Sequence, residues 1–355
     1  MKLSNTVHTC FCAFSFSVLA FLVNPAANAA PVDVVAPAVP PIIAAPAAES
    51  YDPTQPAVGT VKKTAVTPEQ PPLAAKLPVD AVATNNVRAF FWEVKSKTNV
   101  MYLFGTIHVG KRSFYPLAPQ VEEAFKQSQK LVVEADISNG DGMADIGTII
   151  NYKAPDSLDK HIPAALFGRL KTQLVRLQIP LDAVKPMKPY LIGGFLTIAE
   201  FSKLGYDMNL GVDGYLIAKA KDDRKPILEL ESQAGQLKML NDMSPILQEA
   251  FLDNAISTLE SGNATDQVTG MVNAWQTGDV SLMQDVGKAV NRYMRMTDQL
   301  DDVLLYNRHD AMLKKIETYL AGDVPHFVAV GSLHLVGPRG LVELLKARGF
   351  EVRQL

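Results

Sequence analysis

The sequence predicts an α/β domain: a mainly parallel central sheet built from two strand–Gly-x-x-His–helix units, with a large helical insertion. Three observations point there. Short apolar runs of strand type, such as Leu131–Val133 and Phe327–Val330, alternate with segments of helical periodicity. The hexapeptide Phe104-Gly105-Thr106-Ile107-His108-Val109 recurs as Val330-Gly331-Ser332-Leu333-His334-Leu335. From about Pro163 to Leu320 the apolar residues fall mostly at three- and four-residue spacing, broken by one strand-like run at Lys225–Leu230.

In chain order, Phe90–Val94 and Val100–Phe104 read as strands, and Lys97-Thr98-Asn99 between them suits the turn of a hairpin. Leu117–Gln129 has helical spacing, with Val121, Ala124 and Phe125 on one face. Leu131–Val133 is a short buried strand. The apolar stretch Tyr190–Ala199, only about ten residues, is a core helix rather than a membrane span. Phe327–Val330 is a second buried strand. Leu341–Arg348 is an amphipathic helix stopped by Gly349, and Phe350–Arg353 is a final strand.

The folded part is expected over residues 86–355. Ahead of it, Lys2 is the sole charge before Asp33, an apolar core runs from Cys10 to Val23, and Ala27 and Ala29 fit a small-x-small cleavage site. Residues 1–29 are therefore expected to be a signal peptide. Its apolar core is too short for a stable span of the bilayer. Residues 30–85 hold 11 of the chain's 23 prolines and read as a disordered Pro/Ala-rich linker. Both cysteines, Cys10 and Cys12, would leave with the signal, so disulfides, thiolate nucleophiles and cysteine-ligated metals are excluded from the mature chain. The expected location is periplasmic or secreted. A formal net charge of −3 argues against a nucleic-acid partner.

The repeated motif carries the chemistry. Functional groups of parallel sheets gather at the carboxyl ends of strands. Two copies on neighbouring strands bring His108 and His334 to one rim, where Gly105 and Gly331 permit a turn or a close approach. Glu134 and Glu231 also follow apolar runs directly, and a carboxylate placed there needs a partner. That partner is either an arginine or helix N-terminus, or a metal shared with the histidines. Two imidazoles with one or two carboxylates suit divalent manganese, iron, cobalt or zinc, which can activate water. His161, in a loop, reads as solvated, and His326, before the last core strand, reads as structural. No Gly-x-Ser-x-Gly elbow supports Ser332 or Thr106 as a nucleophile.

These blocks, with Tyr115-Pro116-Leu117, Gly211-Val-Asp213-Gly-Tyr-Leu216 and Gln236-Leu237, resemble the TraB/GumN family, within the superfamily that includes the Tiki metalloproteases. The ordered set spans residues 90–355. The resemblance implies metal-dependent peptide cleavage, with His108, His334 and Glu134 as metal ligands or base and manganese or cobalt as the ion. Glu231 is implied as a further ligand or the base. Asp213 and Arg308 match recurring positions, and Arg308 or Tyr115 is placed to stabilise an oxyanion. Where the family often has asparagine after the arginine, this chain has His309. The expected partners are a peptide or small-molecule substrate and, in the competing reading, a haem-like ligand, a peptide or a protein of the envelope bound without catalysis.

Overall fold

The computed structural model describes residues 89–139, 146–291 and 295–355. The signal peptide and linker expected over residues 1–85 lie outside the described residues. Six strands form one sheet in the order β4-β3-β5-β2-β1-β6. β1 (Phe91–Lys95) and β2 (Val100–Thr106) make the expected hairpin, with Phe91 opposite Phe104. β3 (Lys130–Val133), β4 (Ile227–Glu229) and β5 (His326–Gly331) join β2 in parallel. β6 (Glu351–Gln354) lies antiparallel to β1. The mainly parallel α/β class therefore holds. β5 is central and buried along its whole length, as a parallel strand covered on both faces should be.

The helical insertion is divided by β4. Before it stand the helices Ala164–Leu177, Pro189–Lys203 and Val212–Asp222. After it stand Gln233–Asn241, Pro245–Ser261, Ala264–Thr277, Val280–Asn291 and Asn307–Ala321. Leu166, Leu170 and Leu174 pack with Ile192, Leu196 and Ile256 in an apolar cluster separate from the sheet's own, so part of the insertion has its own core. The helix Pro189–Lys203 is mostly buried, as its composition requires. Among the described residues no helix is long and apolar enough to cross a membrane.

The two Gly-x-x-His strands are immediate neighbours, with Gly105 beside Val330 and Thr106 beside Gly331. A pseudo-twofold relation between the two units is the natural expectation for a repeat. Both strands run the same way, so both histidines leave the sheet at its carboxyl rim.

Gly105 is required by packing. A Cβ there would meet Phe90 Cδ1 at 2.5 Å and Ser332 Oγ at 2.8 Å. Its carbonyl also accepts a 2.7 Å hydrogen bond from Trp275 Nε1, which ties the helical insertion to β2. Gly105→Ala is expected to destabilise the fold by about 1–3 kcal/mol through overpacking. Urea unfolding measures this, and an unchanged midpoint would show the wall to be soft.

Candidate functional site

The carboxyl ends of four adjacent parallel strands deliver four chemically active residues to one rim. Glu231 follows β4, Glu134 follows β3, His334 follows β5 and His108 follows β2. Pairing continues past the ends of β3 and β4, where Glu231 N donates to Glu134 O at 2.7 Å, and so sets the two glutamates side by side. Gly331 lies at the focus. A Cβ there would stand 3.1 Å from Glu134 Oε1, 3.4 Å from His108 Nε2 and 3.7 Å from His334 Cδ2.

Arg308 enters from the start of the helix Asn307–Ala321, just after a π-helical turn at Asp302–Tyr306. Such turns recur where a helix must re-aim a side chain. Arg308 Nη1 donates to Leu304 O inside that turn at 2.8 Å, and Nε donates to Glu231 Oε1 at 2.8 Å. Nη2 donates to Glu134 Oε2 at 2.9 Å and also to Glu231 Oε2. Nη1 stands 3.1 Å from His334 Nε2. Gln236 Nε2 adds donors to Glu231 Oε2 at 3.0 Å and Glu134 Oε2 at 3.2 Å, and Gly331 N donates to Glu134 Oε1 at 2.5 Å. The arginine partner that strand-end carboxylates call for is therefore present.

Each histidine has a different partner behind it. His108 Nδ1 lies 2.7 Å from Asp213 Oδ2, in the first turn of the helix Val212–Asp222, and Thr106 Oγ1 donates to Asp213 Oδ1 at 2.7 Å. His334 Nδ1 lies 2.9 Å from His309 Nε2, whose Nδ1 is 2.7 Å from the Arg339 carbonyl. Electrostatics diverge accordingly. Burial works to lower the His108 pKa, but the Asp213 charge and hydrogen bond outweigh it and the pKa is raised. Burial lowers that of His334, with Arg308 adding to the effect. His309 is pushed down to about 3, by burial first and then by His334 and Arg308. Burial opposes the Glu134 charge, yet the neighbouring imidazoles and the Arg308 guanidinium hold that carboxyl well below its ordinary value.

Tyr115 sits apart from this cluster's hydrogen bonds. Its hydroxyl donates to Leu210 O at 2.6 Å and its ring stacks on Tyr215 at 4.3 Å, and burial raises its pKa. Ser332 Oγ donates to the Thr106 carbonyl at 2.9 Å, a backbone-bonding role. His161 is an exposed loop residue paired with Asp156, and His326 is bonded to Val324 O and stacked on Tyr319. Gln236 and the His309–His334 contact carry no local signal in the sequence, because each depends on which face of a distant helix meets the rim.

The donor set fits a divalent ion in kind: two imidazoles and an ionised carboxylate, one imidazole backed by an aspartate as metal-bound histidines usually are. One pair also fits in spacing. His334 Nε2 and Glu134 Oε1 are 3.5 Å apart, and two ligands of one tetrahedral ion, each bonded at about 2.1 Å, stand roughly 3.4 Å apart. Among the described residues, no group of three or more His, Cys, Asp or Glu side chains is gathered as it stands to hold a metal ion. Arg308 Nη1 must leave His334 Nε2 before that nitrogen can act as a ligand.

A model of the TraB/PrgY/gumN family matches residues 90–354. The uncharacterized protein YbaP of Escherichia coli (strain K12) is 27% identical over 253 residues, covering 69% of this chain and 87% of that protein. The metalloprotease TIKI1 of Danio rerio is 23% identical over 317 residues, covering 76% of this chain. The metalloprotease TIKI2 of Xenopus tropicalis is 22% identical over 336 residues, covering 79%. The matches span 63% of each of these two relatives' length. No solved structure matches the chain.

Proposed function

The chain belongs to the TraB/PrgY/gumN family, and from that premise we propose that it is a periplasmic or secreted metal-dependent hydrolase that cleaves peptide bonds. The observation that carries the reading is the 3.5 Å meeting of His334 Nε2 and Glu134 Oε1 at the strand-end rim, with His108 Nε2 beside the same point. His108, His334 and Glu134 would hold the ion, manganese or cobalt by resemblance and zinc or iron by ligand type. A divalent ion bound there supplies a Lewis acid and lowers the pKa of water.

The protein's own groups do the rest. Asp213 holds the His108 ring so that Nε2 faces the rim. Glu231 spends both oxygens on Arg308 and so orients the guanidinium rather than serving as a base. Arg308 Nη1, once released from His334 Nε2, would present a donor to negative charge developing on a substrate carbonyl. A peptide is the favoured substrate, a small molecule the alternative.

The test is metal analysis of the mildly purified full chain, then turnover of a peptide library with manganese or cobalt supplied. His108→Ala and His334→Ala should each lose bound metal and turnover while remaining folded by thermal unfolding. Wild-type metal content in both variants would end the reading. The second reading is a non-catalytic envelope binding protein, favoured by the Arg308 guanidinium filling the centre of the cluster. It predicts a folded wild type with neither bound metal nor turnover.

A further inference from the structure

The hydrogen-bond path through His334 and His309 has two ends whose chemistry is fixed. At one end stands the Arg308 guanidinium, which only donates, with Nη1 3.1 Å from His334 Nε2. At the other stands the Arg339 carbonyl, which only accepts, 2.7 Å from His309 Nδ1. The 2.9 Å contact between His334 Nδ1 and His309 Nε2 joins them. One proton arrangement satisfies all three contacts. His334 Nε2 accepts from Arg308, so its single proton is on Nδ1 and goes to His309 Nε2. His309 then carries its proton on Nδ1 and donates it to the Arg339 carbonyl.

Packing confines the His309 ring. The ring is buried, its plane stands at 90° to Tyr306 at a centroid distance of 5.7 Å, and Arg339 covers the Tyr306 ring at 3.8 Å. His334 is fully buried, so bulk solvent does not reach it to replace a lost acceptor. Were His309 replaced by an apolar side chain, His334 Nδ1–H would lose its His309 acceptor, a buried hydrogen bond that is costly to break. The relief open to it is to move the proton to Nε2, where Glu134 Oε1 lies 3.5 Å away.

We infer that His309 is a positioning residue which, by accepting from His334 Nδ1, holds His334 in the tautomer whose Nε2 lone pair faces the rim. This deepens the metal-site reading, and its consequence for metal affinity rests on that reading; the tautomer itself does not.

Nitrogen-15 NMR of the metal-free full chain, labelled at histidine, reads the tautomer directly. In the wild type, His334 Nδ1 should be the protonated nitrogen and Nε2 the unprotonated one. His309→Leu should shift the proton wholly or partly to Nε2. His309→Gln, whose amide oxygen can reach the place of the lost Nε2, should restore the wild-type pattern. Cobalt(II) titration should show affinity falling 10–100-fold in His309→Leu, the size usual for loss of a partner behind a metal-bound histidine, with recovery in His309→Gln. A wild-type His334 protonated on Nε2, or a His309→Leu spectrum with the wild-type His334 pattern, would overturn the inference. If His309→Leu fails to fold, the wild-type and His309→Gln spectra still decide, since an Nε2 proton in either contradicts the assignment. If the wild-type tautomer is as stated and cobalt does not bind, the metal reading fails and the tautomer assignment stands.

Discussion

Arg308→Met should destabilise the fold by about 3–5 kcal/mol, the cost of leaving buried charges without their partner. Glu134 and Glu231 both depend on the one guanidinium, with side chains 6% and 18% exposed. Methionine retains most of the stem and none of the five donors, so the loss isolates the charge and the hydrogen bonds from the packing. For a domain of this size that corresponds to a fall of roughly 6–20 °C in Tm. Arg308→Lys should recover only part, because an ammonium cannot span Glu134, Glu231 and the Leu304 carbonyl from one plane. Thermal and urea unfolding measure both variants. A loss below about 1 kcal/mol in Arg308→Met would place the cluster with ordinary surface pairs.

Glu134→Gln should abolish peptide turnover, because it replaces the carboxylate that would hold the ion with a neutral amide, a poorer ligand for a divalent metal. It should also change how stability depends on acid. The folded Glu134 carboxyl titrates well below its ordinary value of 4.5. The stability it contributes is thus fully present above the unfolded value and is lost as pH falls through the folded one. The gap in stability between wild type and Glu134→Gln should therefore be constant from neutrality to about pH 5 and shrink in stronger acid. A gap that widened on acidification would show that Glu134 is not held ionised by its neighbours.

Local pattern made the frame of the site legible. Strand-end chemistry needs only a short apolar run followed by a polar residue, and His108, Glu134, Glu231 and His334 all announce themselves that way. Asp213, Arg308 and His309 do not. Each lies on a helix, where the residue facing the sheet is chosen by packing far along the chain. Arg308 is additionally re-aimed by the π turn at Asp302–Tyr306, a feature without a local sequence signature. Resemblance drew attention to Asp213 and Arg308, but the contacts they make depend on tertiary structure. Tyr115 shows the converse: its place beside a motif suggests chemistry, and its hydroxyl is spent on the Leu210 carbonyl.

The strand order has a consequence for assembly. The strand that separates β3 from β2 is β5, which spans His326–Gly331 near the chain's end. Until it is in place, β3 and the β1–β2 hairpin have no common neighbour, and each exposes an open, apolar edge. Contacts between residues some two hundred positions apart must close that gap, which favours slow folding. A ribosome that has made the first three hundred residues has thus made His108, Glu134 and Glu231 but neither Arg308, which pairs the two glutamates, nor the strand that places His334 between Glu134 and His108. A chain stopped there would carry two sticky strand edges in search of a partner, and a neighbouring copy's strand is the one nearest to hand.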